Sequence, residues 1–158
     1  MPVRKIRIAL IEDSQTVRFF YKTMFEKAGF EVYEAENARL GWDVICDHRP
    51  DIIVLDMMMP EIPGLELLKR IRTVEFSKDI PVLVMTSIKD TEQVQEIFKS
   101  GANYYSLKGM DSPEMIKEMV YKLLKERQEK IVARSVNGQL PPEDNKQVEE
   151  IDRLFWWF

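Results

Sequence analysis

Between Asp51 and Asp56 the chain runs Ile-Ile-Val-Leu, with no polar residue inside the run. A short apolar segment rich in β-branched side chains reads as a strand buried on both faces, and that burial is what a parallel sheet covered by helices provides. Asp56 stands at its carboxyl end, and Pro60 and Pro63-Gly64 then interrupt regular structure. In open α/β sheets ligands gather where strands end and loops begin, so Asp56 is the first candidate for a working residue.

The rest of the chain repeats this pattern. Residues 5–11 pass from charge–apolar alternation to an apolar run and read as a first strand ended by Glu12-Asp13. Ser14 is placed to cap a helix over 15–28, with Val17, Phe20, Tyr21 and Met24 on one face and Gly29 as its stop. Phe30 to Ala35 alternates as a second strand, and Asn37 opens a helix to about His48 with Leu40, Val44 and Ile45 turned inward. After the Asp56 strand, Leu65, Leu68 and Ile71 recur at helical spacing from Gly64 to about Thr73. Ile80 to Met85 is a fourth buried strand ending at Thr86-Ser87, and Asp90 opens a helix that Gly101 stops. Ala102 to Leu107 is a fifth strand ending at Lys108. Ser112-Pro113-Glu114 then combines a cap, a first-turn proline and an acid, and starts a helix to about Lys130.

Strands alternating with helices at this spacing imply right-handed crossovers and an α/β fold: a flavodoxin-like five-stranded parallel sheet, order 2-1-3-4-5, with five flanking helices. Residues 1–130 form the domain. Asn137-Gly138, Pro141-Pro142 and Glu143-Asp144-Asn145 mark residues 131–146 as a linker, and residues 147–158 form a short amphipathic helical extension. The 45% apolar content suffices for a core, and the formal charge of −4 gives no general attraction to nucleic acid or anionic lipid. One cysteine, Cys46, suits a reducing compartment and reads as a small buried apolar residue. The apolar stretch Ile8–Ile11 is too short for a signal-peptide core or a membrane span, so a cytoplasmic location is expected.

In a parallel sheet Glu12, Asp13, Asp56, Thr86 and Lys108 all come to one edge. Three carboxylates in one crevice repel one another and call for a cation, and hard oxygen ligands with room for water suit Mg²⁺. A carboxylate beside a metal, an ammonium and a hydroxyl is equipped to form an aspartyl phosphate. With Glu12-Asp13, the Asp56-x₃-Pro60-x₃-Gly64 turn, Thr86-Ser87, Tyr105 and Lys108, residues 5–128 resemble a receiver domain of two-component response regulators, of the stand-alone chemotaxis type.

That resemblance implies a signalling module rather than an enzyme. It makes Asp56 the acceptor of a phosphoryl group from a histidine kinase, and Asp13, Asp56 and the Met58 carbonyl the Mg²⁺ ligands, with Glu12 acting through water. It assigns Thr86 and Lys108 to the phosphoryl oxygens. Tyr105 becomes the aromatic whose position follows Thr86 and reports on the face made by the fourth helix, fifth strand and fifth helix, a shift between two populations. Gly109 stands where the family usually has proline after its lysine. A cis bond without proline costs about 2.5–4 kcal/mol, so a trans bond and a differently shaped loop are expected. Met58 and Ile88 occupy the positions that border the attacking water in the family, and apolar side chains there imply slow self-dephosphorylation.

Some features have a plainer reading. Met57 to Met59 read as loop packing rather than a metal-binding set, because thioethers suit soft metals. Lys117, Lys122, Lys125, Arg127 and Lys130 are interleaved with acids and read as a solvated helix face. In the extension, Val148, Ile151, Leu154, Phe155 and Phe158 fall at helical spacing, and Trp156-Trp157 adds aromatic area. Glu150-Ile151-Asp152-Arg153-Leu154 is similar to the flagellar switch peptide that binds phosphorylated chemotaxis regulators. The extension is expected on its own domain's output face, on a second copy or another protein, or packed permanently on the body. A flavin carrier is disfavoured because Glu12-Asp13 would repel a flavin phosphate, and an aspartate-nucleophile phosphatase because Met58 stands where it wants another acid. The alternative that stays open is a phosphorylation-independent pseudo-receiver serving as a dimerisation or scaffold module.

Overall fold

The computed structural model describes residues 4–137. Five strands, β1 (Arg7–Ile11), β2 (Glu31–Ala35), β3 (Ile52–Leu55), β4 (Val82–Thr86) and β5 (Tyr104–Leu107), form one parallel sheet in the order β2-β1-β3-β4-β5. Five helices alternate with them: α1 (Gln15–Lys27), α2 (Ala38–His48), α3 (Gly64–Thr73), α4 (Thr91–Lys99) and α5 (Pro113–Val136). The expected fold and strand order are both present. Ser14, Asn37, Asp90 and Ser112 each accept a backbone N–H in the first turn of the helix they precede, which relieves one of its unpaired donors.

Side-chain alternation along the strands builds two cores. Ala9, Ile11, Ile53, Leu55, Val82 and Val84 meet Ile45 of α2, Leu67, Leu68 and Ile71 of α3 and Ile97 of α4 on one face. Ile8, Leu10, Ile52, Val54, Leu83 and Met85 meet Phe25 of α1 and Ile116, Val120, Leu123 and Leu124 of α5 on the other. All four residues of β3 are buried, as an inner strand of a doubly covered sheet requires.

Several local expectations are corrected. Leu40 and Phe20 point outward, while Phe25 is the buried residue of α1 and the partly buried Trp42 packs on the core from α2. Cys46 is only partly buried. Residues 131–136, placed in a linker by the sequence, continue α5 to Val136, because nothing in 125–136 breaks a helix and Arg134 bonds Asp79 at 2.7 Å. Arg127 is not on a solvated face: it donates to the Asp51 carbonyl at 2.9 Å. Met57 and Met59 are packed inside and Met58 is exposed, so the methionine run is loop packing. Residues 147–158, with Ile151, Leu154, Phe155, Trp156, Trp157 and Phe158, lie outside the described residues.

Candidate functional site

The carboxyl ends of β1, β3, β4 and β5 deliver the site. The Asp56 N–H donates to the Ile11 carbonyl and the Glu12 N–H to the Ala35 carbonyl, so the sheet ladder itself carries both acids to its edge. Asp56 is 2% and Glu12 1% exposed, whereas Asp13 is exposed, and carboxylate oxygens of the three lie within 4.8 Å of one another. Lys108, held by its N–H to the Thr86 carbonyl, places Nζ 2.7 Å from Glu12 Oε2 and 3.1 Å from Asp56 Oδ2. The other Asp56 oxygen, Oδ1, accepts the Met58 N–H at 3.1 Å, and Glu12 Oε1 accepts the Ser14 N–H at 3.1 Å.

One ammonium thus faces three carboxylates. Burial pushes the Asp56 and Glu12 carboxyls above their ordinary range, and the charge of Asp13 adds to this at Asp56, that of Asp56 at Glu12. Burial pulls Lys108 down, but its bond to Glu12 and the charges of Asp56 and Glu12 outweigh it, so the ammonium is held above its ordinary value. A cluster of hard oxygen donors with surplus negative charge fits a divalent cation such as Mg²⁺.

The turn after Asp56 needs Gly64. Its N–H donates to the Met57 carbonyl, and a Cβ there would overlap the Asp56 carbonyl oxygen and stand 2.7 Å from Met57 Cα. Glycine lets α3 start against the phosphoacceptor candidate's own backbone. Thr86 is fully buried at the end of β4, and its hydroxyl accepts the Ile88 N–H at 3.4 Å. Ile88 is partly buried against the core, and its carbonyl accepts the Tyr105 hydroxyl. The Tyr105 ring is tilted against Phe98 of α4 at 6.4 Å. The Lys108–Gly109 bond is trans, as is every other among the described residues, and Gly109 takes φ +82°, which shapes the loop without proline.

Two contributors escaped sequence reasoning. Arg18, its side chain 11% exposed, donates from Nη1 to the carbonyls of Glu12 at 2.8 Å and Asp13 at 3.4 Å, fixing the acidic turn from behind. Tyr21 stands close enough that, with its hydroxyl pushed up by burial, Glu12 and Asp111 add to the rise and Lys108 opposes it. Arg18 sits one helical turn after the Ser14 cap, which is the only signal the sequence carries for it.

The model for the response regulator receiver domain matches residues 8–120. The chain belongs to this family. Receiver domains are modules of two-component signalling, with histidine kinases as partners. This receiver is 30% identical over 118 residues to sporulation initiation phosphotransferase F of Bacillus subtilis, covering 75% of the chain and 93% of the relative. It is 32% identical over 109 residues to the phosphate regulon regulator PhoB of Pseudomonas aeruginosa, covering 69% of the chain and only 48% of that relative. The structure resembles the Vibrio cholerae chemotaxis protein CheY4 with a TM-score of 0.71 and 26% identity, over 76% of this chain and 99% of that one. It also resembles the receiver domain of Francisella response regulator 1452, TM-score 0.70 and 29% identity, over 77% and 98%. No described helix is long and apolar enough to cross a membrane.

Proposed function

We propose that this receiver takes a phosphoryl group on Asp56 from the phosphohistidine of a histidine kinase and signals through protein contacts. The observation that carries the reading is the Asp56 carboxylate, buried at the sheet edge, with Lys108 on one oxygen and two further acids beside it. An Asp56 oxygen forms the new bond to phosphorus as the phosphorus–imidazole nitrogen bond breaks. Asp13, Asp56 and the Met58 carbonyl, with Glu12 acting through water, would hold Mg²⁺, which would supply charge neutralisation for the transfer. Lys108 exchanges part of its carboxylate contact for a phosphoryl oxygen, and the Thr86 hydroxyl takes another. Tyr105 then reports the change on the surface of α4, β5 and α5.

Incubation with acetyl phosphate and Mg²⁺, or with beryllofluoride, tests this. Wild-type protein gains one phosphoryl group or its fluoride mimic, and Asp56→Asn gains none. A wild-type chain that stays unmodified favours a scaffold role instead. Slow loss of the acyl phosphate belongs to the same proposal, since Met58 and Ile88 offer no group to orient water. Met58→Asn with Ile88→Glu is expected to speed the decay, and unchanged decay overturns this part. A chemotaxis or motility setting is supported by the CheY4 likeness and by Glu150-Ile151-Asp152-Arg153-Leu154.

A further inference from the structure

The side of the molecule bounded by α4, β5 and α5 carries apolar surface that no described element covers. β5 is an edge strand, and of the nine residues of α4 only Ile97 is buried. Phe98 is 48% and Met115 50% exposed, and the partly buried Tyr105 lies between their helices on β5. Met115 and Met119 are one turn apart on the flank of α5 away from Tyr121, which packs on Phe30 on the α1 side. Thr91 and Gln95 share the Phe98 flank of α4 at helical spacing, and Glu96 is turned away to Lys69 of α3 at 3.4 Å. The groove is therefore apolar with neutral polar margins on its α4 side.

We propose that residues 147–158 of the same chain dock in this groove, with Leu154, Phe155 and Trp156-Trp157 against Phe98, Tyr105, Met115 and Met119. Position and length argue for this occupant. α5 ends at the amino edge of the sheet, where Arg134 bonds Asp79 just before β4, and Phe98 lies at that edge near the end of α4. Residues 138–146 reach about 30 Å when extended, enough to turn from Asn137 into the groove. Twelve residues in helical form span about 18 Å, somewhat more than the length of α4. The segment's Glu149, Glu150 and Asp152 meet no carboxylate on the Thr91–Gln95–Phe98 flank. Tethering supplies an effective concentration in the millimolar range, so an intrinsic affinity of only about 0.1 mM keeps the groove occupied about nine-tenths of the time. A partner that needs this face then has to displace the segment first.

Methyl resonances of the full chain, without phosphoryl donor, test the docking separately from the chemistry of Asp56. Replacing Leu154, Phe155, Trp156 and Trp157 by serine should shift the methyls of Met115 and Met119, through lost ring currents, and leave those of Met58 and Met110 in place. Phe98→Gln, an exposed change that keeps the core, should give the same Met115 and Met119 shifts. Shifts that appear only at high protein concentration would assign the groove to a second copy and overturn the proposal. So would unmoved Met115 and Met119 methyls, or shifts centred on Met58 and Met110.

Discussion

Asp51 and Asp56 bound the same four-residue strand and are equally buried, at 2% exposure each, yet their surroundings are opposite. Asp51 is saturated. Arg4 donates to one oxygen at 2.8 Å, the Arg7 N–H to the other at 2.8 Å, and Arg127 stands 3.7 Å from the first. Asp56 shares a single ammonium with Glu12, has Asp13 close by, and is pushed up by burial. A buried carboxylate with more cations than it needs ties strands and helix together. One with more anions than cations around it is prepared for a positive ion or an electrophile. The amino edge of the sheet is built to hold, and the carboxyl edge carries the surplus negative charge that the proposed reaction would use.

The largest expected effect separates the two ends directly. Asp51→Ala takes the carboxylate acceptor from the Arg4 guanidinium and the Arg7 N–H and a neighbouring negative charge from Arg127, which keeps its bond to the residue 51 carbonyl, and should cost about 3 kcal/mol in urea unfolding. Asp56→Asn removes a charge from a crowded site and leaves Lys108 with Glu12, so the urea midpoint should hold or rise. Equal losses at both ends would mean that Asp56 is as well satisfied as Asp51 and would remove the basis for a reactive edge.

Cation binding sharpens the same contrast with a smaller effect. Mg²⁺ at about ten times its dissociation constant should add about 1.4 kcal/mol, or about 3–6 °C in Tm for a domain of this size, and a chelator should reverse it. Asp13→Ala should lose that increment, while Asp51→Asn should keep it from a lower baseline. Stabilisation that survives Asp13→Ala would place the ion elsewhere.

How far the sequence could be read follows from the range of each interaction. Ile52 to Leu55 and Val82 to Met85 were legible because an inner parallel strand is apolar on both faces. The strand-end acids, Thr86 and Lys108 followed, since parallel strands bring their carboxyl ends to one edge. Ser14, Asn37, Asp90 and Ser112 were legible because capping acts across three residues. Phase within α1 and α2 was harder. Both helices carry more apolar residues than they bury, so periodicity allowed Phe20 and Leu40 to be turned inward, whereas Phe25 is the residue α1 buries and Trp42 packs on the core from α2 beside the expected Ile45. Arg127 looked like part of a solvated stripe because its partner, Asp51, is 76 residues away. The last turn of α5 was hidden for the same reason, its partner Asp79 being 55 residues from Arg134.

That last contact is the mildest test of how the amino edge holds. Arg134 and Asp79 are about half exposed, so their 2.7 Å pair is worth about 0.2–1 kcal/mol and weakens with salt. The hydrogen bond from Arg134 is the main cause that draws the Asp79 carboxyl below its ordinary range. A folded value below the unfolded one means the pair stabilises above the unfolded value, near pH 4, and that this contribution fades as pH falls through the folded value. Arg134→Ala should therefore cost a fraction of a kilocalorie at pH 7, with the gap to wild type closing in acid. It should also speed amide exchange at 131–136 while leaving β3 protected. A loss as large as that of Asp51→Ala would show that the edge draws its strength from this exposed clamp rather than from the buried one. Unchanged exchange at 131–136 would show that helix propensity alone carries α5 past Lys130.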